Sequence, residues 1–500
     1  MPIAKIPIFG SSSVDNENYS LSDSVSLYEN LYIQKNGSNL ELKTRPGFLS
    51  KYPTLSTAYY TTPWFVYFPK FGEAFFTSVD VSNGYTYLGY LGVNGAATIV
   101  GTDAASRGDN AMGRPVLFSY SGNEYIVAGL KSQYIFYYKT GSFNVLDTGV
   151  GGNSYTKCCV LDNYLIKHSE GDYNVYFSAP GDLTSWSALD FISTGQLIQS
   201  IHSFNGYLYL SDGNVTKRYY NDGSTPFVSA SGQDINIGTL SINSICDDGN
   251  DLYLISSDGR FGKINGNTFQ QLGKNISGEI EKFFSSYISR IKIFNFKYRG
   301  KNFISIINQL DITGTVRYQL IYDIDLDIFY KWTINLNNGS FYAPAFESFA
   351  FHGSRNYYVA GIGTYLQNGG YSSVGILGDY GQDTYNYTGS AVEAKPINQI
   401  LQTGLIDHGT HRQKRSRCIR LRCRKTTSSG TLRIAYRDNA EGSFVTMRDF
   451  DIDSDNNNLI TIENFANGIY RQRQYKITSE GAIGKLGITD FEEEFEILGS

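Results

Sequence analysis

The sequence predicts an all-β chain whose main body is a β-propeller of six or seven blades. Three observations predict it. A short phrase recurs six times between Gly122 and Tyr358, in which a turn of Gly, Asn or Asp opens onto a strand of tyrosine and aliphatic residues. The starts fall about 40 to 53 residues apart, which suits four-stranded blades rather than helical repeats. Composition points the same way: 40 Tyr, 31 Phe and 52 Gly favour pleated strands joined by tight turns. Long segments rich in Ala, Leu, Glu and Lys, which would form helices, are missing.

Residues 1–55 read as an extended N-terminal arm. Polar stretches, Ser11-Ser12-Ser13 and Asp15-Asn16-Glu17-Asn18, alternate with the anchors Tyr28-Glu29-Asn30-Leu31-Tyr32 and Thr44-Arg45-Pro46-Gly47-Phe48. Such an arm packs on its own chain or reaches to a neighbour, and both readings stay open at this point.

Residues 56–395 carry the blades. Pro63-Trp64-Phe65-Val66-Tyr67-Phe68 and Gly84-Tyr85-Thr86-Tyr87-Leu88-Gly89 suit an extra blade ahead of the six copies. The copies themselves open at Gly122-Asn123, Asp162-Asn163, Asn205-Gly206, Asp248-Gly249, Arg299-Gly300 and His352-Gly353. Later strands follow at hairpin distance, as in Ser132-Gln133-Tyr134-Ile135-Phe136 and Asn174-Val175-Tyr176-Phe177. Asp258-Gly259 is the pair expected in a two-residue hairpin. The fifth copy is longer, with an inserted turn near Asp311-Ile312-Thr313-Gly314-Thr315.

A composition shift at Lys395-Pro396 marks a third region, 396–500, read as a β-sandwich-like strand set. Three strands are expected there, over 431–437, 458–463 and 471–478. Eight Lys or Arg crowd the fifteen residues 411–425, while 490–498 is strongly acidic.

Function classes narrow by elimination. A net charge of −5 provides no overall basic field for holding nucleic acid. No run of 18 apolar residues is present, so no transmembrane helix is expected. The opening Met1-Pro2-Ile3-Ala4-Lys5 has too short an apolar run for a secretory signal. Five cysteines are no disulfide framework, and adjacent Cys158 and Cys159 in a strand point to opposite faces, which suits a reducing cytoplasm.

No Cys-x-x-Cys occurs, and Cys418 and Cys423 lie on opposite faces of one strand. His408 and His411, three apart in a loop, read as a chance pair. Asp323, Asp325 and Asp327 read as sharing a solvent-facing strand edge, without the glycine and closing Glu of a calcium loop. Ser211-Asp212-Gly213 and Ser257-Asp258-Gly259 read as hairpin turns. Gly-x-Ser-x-Gly, Walker and His-Glu-x-x-His motifs are missing, so no catalytic residue, cofactor or metal ligand is expected.

The one constellation left is charged. Along 417–424, Ile419, Leu421 and Cys423 share one strand face and Arg420, Arg422 and Arg424 the other, with Arg417 just before. In the acidic strand Phe491, Glu493 and Phe495 alternate with Asp490, Glu492, Glu494 and Glu496. Three uses fit the pattern, the first being a contact of the arginines with phosphate or nucleic acid. Arg417, Arg420, Arg422, Arg424, Glu492, Glu494 and Glu496 dock a subunit or partner, or the arginines pair with the acidic strand of their own sheet.

Both ends of the chain also carry a likeness. Leu27-Tyr28-Glu29-Asn30-Leu31-Tyr32 followed by Thr44-Arg45-Pro46-Gly47-Phe48 resembles the opening of phage packaged-DNA stabilisation proteins, the tail accessory, hub or nozzle proteins of short-tailed phages. Asp407-His408-Gly409-Thr410, Arg417-Cys418-Ile419-Arg420, Arg471-Gln472-Arg473-Gln474-Tyr475 and the acidic end resemble the same family. The resemblance implies a structural virion protein, not an enzyme, assembled in the bacterial cytoplasm into a homo-oligomeric ring, commonly a hexamer. It implies contacts with portal or adaptor ring proteins and with fibre, spike or plug proteins, and transient passage of DNA. A carbohydrate-binding or glycan-cleaving propeller of a phage tail or bacterial surface is the alternative.

Overall fold

The structure, a computed structural model, describes residues 2–9, 25–36, 39–52, 60–80, 83–92, 97–107, 112–152, 154, 156–223, 226–273, 277–283, 291–308, 318–336, 341–344, 348–352, 357–363, 372–378, 382–385, 393–425, 430–439, 442–452, 459–481 and 486–499. The chain is all-β. Among the described residues the one α-helix is the short Ser277–Lys282.

Seven antiparallel arrays of four strands follow one another along the middle of the chain, five as separate sheets and the sixth and seventh as parts of a ten-stranded and a six-stranded sheet. The first runs from Tyr60–Phe68 to Ala97–Asp103, the second from Val116–Tyr120 to Ser142–Asp147, and the third from Thr156–Leu161 to Asp182–Ser193. The fourth spans Ile198–Phe204 to Val228–Ser229, the fifth Ile245–Asp247 to Thr268–Gln271, and the sixth Ile291–Tyr298 to Ile328–Leu336. The seventh takes Ser348–His352, Tyr357–Gly363 and Ser372–Gly378 from this region and its fourth strand, Gly47–Tyr52, from the N-terminal region.

The recurring phrase has a structural meaning. Its six strands are the second strands of the second to seventh arrays: Asn123–Gly129, Tyr164–Ser169, Tyr207–Asp212, Leu252–Ile255, Lys301–Asn308 and Tyr357–Gly363. Its turns need left-handed backbone, which Gly122, Gly206, Gly249 and Gly300 take up without a side-chain clash. The extra array ahead of the copies is the first one. The insertion expected near Asp311-Ile312-Thr313-Gly314-Thr315 lies outside the described residues, as do the polar stretches Ser11-Ser12-Ser13 and Asp15-Asn16-Glu17-Asn18.

The arrays bury both faces, and the cores lie between neighbours. Cys158 and Leu165 of the third pack with Phe118, Val127 and Ile135 of the second. Cys159 and Ile166, one residue on, pack with Ile201, Leu208 and Leu210 of the fourth. Period-two alternation therefore serves two cores at once, which is why these strands read as nearly continuous apolar runs. The fifth and sixth arrays share Tyr253, Phe261, Ile304 and Tyr322. Each fully buried Ile, Leu or Phe contributes about 1.5–3 kcal/mol. The first strand of the seventh array touches the first strand of the first, so the series closes on itself.

The C-terminal region is two sheets face to face. One orders Leu31–Asn36, Asn39–Thr44, Leu486–Ile497, Lys414–Lys425 and Leu459–Phe465, with Ile3–Lys5 beside the Leu486–Ile497 strand. The other continues the sixth array through Val25–Glu29 into Gln399–Thr403, Arg473–Glu480, Thr431–Asp438 and Val445–Asp451. Ile419, Leu421, Cys423 and Phe491 of the first meet Leu432, Ile434, Tyr475 and Ile477 of the second in one core. The expected strands over 431–437, 458–463 and 471–478 are present with small shifts at their ends. Of the two readings left open for residues 1–55, the described residues show packing on their own chain. They supply strands to both C-terminal sheets and to the seventh array, because Tyr28, Leu31, Tyr32 and Phe48 carry too much apolar surface to stay in water.

Candidate functional site

The outer face of the first C-terminal sheet holds the predicted ladder. Alternation along Lys414–Lys425 buries Ile419, Leu421 and Cys423 and turns Arg420, Arg422 and Arg424 outward. A register shift between Ser416 and Cys418 keeps Arg415 and Arg417 outward as well. Beside it Leu486–Ile497 buries Phe491, Glu493 and Phe495 and presents Asp490, Glu492, Glu494 and Glu496.

The two columns pair within the chain. Arg417 bonds Glu496, and Arg420 lies 2.8 Å from Glu463 and 3.3 Å from Glu494. Arg422 lies 2.9 Å from Asp490 and 3.5 Å from Glu492. Bonds to Glu463 and Glu494 hold the Arg420 guanidinium above its ordinary range. Arg424 meets no acid among the described residues. Of the uses left open by the pattern, in-chain pairing therefore occupies Arg417, Arg420, Arg422, Glu492, Glu494 and Glu496. What the columns leave open is their apolar border: Ile3, Leu459, Phe465 and Ile469 are each at least half exposed on this sheet.

Beneath that face lies a buried polar cluster that sequence reasoning did not assemble. Glu493 is fully buried, and its Oε2 accepts from Tyr470 Oη at 2.8 Å and lies 3.0 Å from His408 Nε2. Burial alone raises a carboxyl pKa, but bonds from His408, Ser416 and Tyr470 hold Glu493 below its usual range. His408 stacks on Phe495 with ring centroids 4.3 Å apart. Arg473, also buried, donates to Asp438 at 2.7 and 3.1 Å and to the Asn467 carbonyl at 2.6 Å, between the rings of Tyr436 and Tyr470.

A second buried joint ties the N-terminal strands to the arrays. Arg45 donates from Nε to Asn30 Oδ1 at 2.9 Å and from both terminal nitrogens to Asp383 at 3.0 and 2.5 Å. The same nitrogens reach the carbonyls of Pro46 at 2.8 Å and Thr333 at 2.6 Å. Asn30 in turn bonds Thr333 and the Asn398 carbonyl. A cavity of about 120 Å³ lies against this joint, lined by Glu29, Arg45, Asp383, Gln399 and Glu480 among others.

Other sequence candidates fall elsewhere. His408 and His411 do not converge, since His408 is buried and His411 is exposed near Asp407. The aspartates do not share a strand edge, which corrects that expectation: Asp323 ends the strand Gln319–Asp323, buried against Lys301 and Tyr330, while Asp325 and Asp327 lie in the following turn. Asp212 and Asp258 do sit at turns, where Asp212 Oδ1 accepts from the amides of Asn214 and Val215. Cys418 and Cys423 pair with residues of opposite sheet faces, Glu494 outside and Ile488 inside. Among the described residues no group of three His, Cys, Asp or Glu is placed to hold a metal ion.

No protein-family model matches the chain, and no curated protein matches it. No helix among the described residues is long and apolar enough to cross a membrane.

Two of the signals for the buried joints were in the quoted end motifs. Asn30 and Arg45 come from the N-terminal pair, His408 and Arg473 from the C-terminal pair. Glu493 lies in the acidic end on the face of Phe491 and Phe495, whereas Asp383 gave no local signal, because only the tertiary fold brings it to Arg45.

Proposed function

We propose that this chain is a structural virion protein of a phage tail, a ring-forming hub or nozzle below the portal and adaptor that closes the DNA exit channel after packaging. In this reading the seven arrays are blades of a seven-bladed propeller. The strand Gly47–Tyr52 completes the last blade and clasps the ring, as blade closure requires. The role needs no catalysis and no cofactor. It rests on shape, rigidity and assembly.

The observation that carries the reading is the convergence of the end motifs. Segments that resemble the packaged-DNA stabilisation family, far apart along the chain, supply the side chains of two buried joints, one tying the N-terminal strands to the sixth array and one inside the C-terminal sandwich. Asn30 and Arg45 do so at one joint, His408 and Arg473 at the other. A wall element that must resist internal pressure needs such cross-ties.

A second copy of the chain is the occupant that suits the ladder face. Its basic and acidic columns lie on adjacent strands, so a copy displaced by one strand sets its acidic column over the basic one. The exposed Ile3, Leu459, Phe465 and Ile469 supply apolar area at the border. Such a contact is heterologous and closes into a ring when its rotation divides a full turn. DNA would then pass along the axis of the assembled ring.

Electron microscopy of the purified chain, alone and with a portal complex, tests the reading. A six-fold ring that docks coaxially on the portal is the expected result. A monomer that ignores the portal overturns it. Phe465→Glu with Leu459→Glu, both at exposed positions, keeps the monomer folded and abolishes the ring. Rings that persist in the double variant refute this face as the contact.

A further inference from the structure

The middle of the array series holds two cations, Arg114 and Lys157, near a single carboxylate, Asp247, that forms an ion pair with neither. Arg114 precedes the first strand of the second array, Val116–Tyr120. Lys157 lies in the first strand of the third, His202 in that of the fourth, and Asp247 ends that of the fifth. Gly113, the residue before Arg114, abuts Lys157, His202 lies 2.8 Å from Asp247, and the charges of Arg114 and Asp247 act on both Lys157 and His202, so four successive arrays bring these groups together.

The floor of that place is closed. The segment 239–244 runs across it with Thr239, Ser241, Ile242 and Ser244 fully buried. The Ile242 carbonyl accepts from Ser200 Oγ at 2.8 Å and from Lys157 Nζ at 3.2 Å. The Met112 carbonyl accepts from Trp64 Nε1 at 2.6 Å and from Asn243 Nδ2 at 3.4 Å. Gly113 lies so close that a Cβ there would sit 2.7 Å from Lys157 Cα. Side chains above this floor therefore stand over packed protein, and we read the space between them as a recess.

The buried lysines show what is unusual here. Lys414 is fully buried and gives its three protons to the carbonyls of Thr410, Arg412 and Arg471 at 2.6 to 3.0 Å. Lys167, also fully buried, gives its protons to Gln133 O, Thr148 Oγ1 and Val150 O. Lys157 is 6 % exposed yet has one acceptor, the Ile242 carbonyl. Among the described residues no carboxylate lies within ion-pair distance of it.

Arg114 has neither a hydrogen bond nor an ion pair among the described residues, and it stays open to solvent although protein crowds it. The one carboxylate nearby is already engaged: Asp247 Oδ2 meets His202 Nε2 at 2.8 Å and Oδ1 accepts from the Gly249 amide. A buried ammonium with two unused donors is costly, and an anion beside it offsets that cost.

We propose that this recess binds a small oxyanion, a phosphate or carboxylate group, held between the Arg114 guanidinium and the Lys157 ammonium. The planar donors of Arg114 suit a two-oxygen grip. Lys157 supplies the remaining donors from the floor, and His202 is kept by Asp247 in a fixed orientation at the rim. Because the site lies on the axis of the array series, an anion there ties the second to fifth arrays together.

Thermal unfolding of the full chain in inorganic phosphate, in acetate and in chloride at equal ionic strength tests this. Phosphate or acetate is expected to raise the midpoint above that in chloride, and whichever does so assigns the chemistry. Arg114→Ala is expected to weaken the effect at least tenfold in ligand concentration, and Arg114→Lys to restore part of it. Arg114 is exposed, so the alanine variant folds. Phosphorus NMR line broadening of inorganic phosphate, lost in Arg114→Ala, gives a readout independent of stability. Equal midpoints in all three salts, or an effect that Arg114→Ala leaves unchanged, overturns the proposal.

Discussion

Replacing Arg45 by alanine is the sharpest probe of how the N-terminal strands are held. The side chain is 1 % exposed and its partner Asp383 2 %, so solvent screens almost none of the interaction. The substitution removes five hydrogen bonds and leaves the Asp383 carboxylate with the Phe48 amide as its remaining donor. Stripping one partner from a buried pair costs about 3–5 kcal/mol, because the other charge stays dry and unmatched. The double variant Arg45→Met, Asp383→Leu removes both charges at similar volume and is expected to recover most of that loss. Urea unfolding followed by tryptophan fluorescence reads both, since Trp332 lies next to this joint and donates to the Leu31 carbonyl. If Arg45→Ala costs less than about 1 kcal/mol, as for an exposed pair, the joint does not hold the strands. A double variant as unstable as the single one likewise refutes the reasoning.

Two further outcomes follow from the same contrast between buried and open charge. Arg420→Ala on the ladder face is expected to cost less than about 1 kcal/mol, as exposed pairs do, despite its two acidic partners; a loss above 2 kcal/mol in the same urea assay contradicts that. His168 is fully buried between the carbonyls of Ile198 and Asn174, and burial pushes its imidazole down to about 4. Between pH 4 and the ordinary histidine value near 6.5 the unfolded chain takes up a proton that the folded one refuses. Stability contributed by the neutral ring is thus complete above about 6.5 and lost as pH falls toward 4. His168→Asn is expected to flatten the stability profile over that window, and an unchanged slope counts against the assignment.

The strands between Asn123 and Gly363 were readable because each turn and the strand after it carry their own signal. Glycine at the turn and an aromatic–aliphatic run need no distant partner to be recognised. The ladder was readable for the same reason: alternation is local, and it told which arginines face out. It offered the acidic strand with Glu494 as one partner but gave no sign of Glu463, which arrives by pairing with a third strand. Non-local joints were opaque. Arg45 and Asp383 lie 338 positions apart, and nothing near either announces the other. The floor segment 239–244 drew no reading from the sequence, because Thr239, Ser241, Asn243 and Ser244 find their partners, such as the Ile291 carbonyl for Ser241, only in the fold. What the arm packs against was opaque for a related reason. Its strands are short, and their identity is decided by the sheets that accept them.

The seventh array places a condition on how the chain is made. Ser50 pairs with Gly375, so the strand Gly47–Tyr52 leaves the ribosome long before its neighbour exists. The first six arrays can each form soon after their own strands emerge, since their pairings span only a few tens of residues. The early strand must meanwhile remain uncommitted, although its exposed backbone invites pairing with any open sheet edge. Another chain's unfinished seventh array is such an edge. At high synthesis rates the clasp can therefore close between two molecules instead of within one, and that exchange is the characteristic misassembly to look for when the protein is produced in quantity.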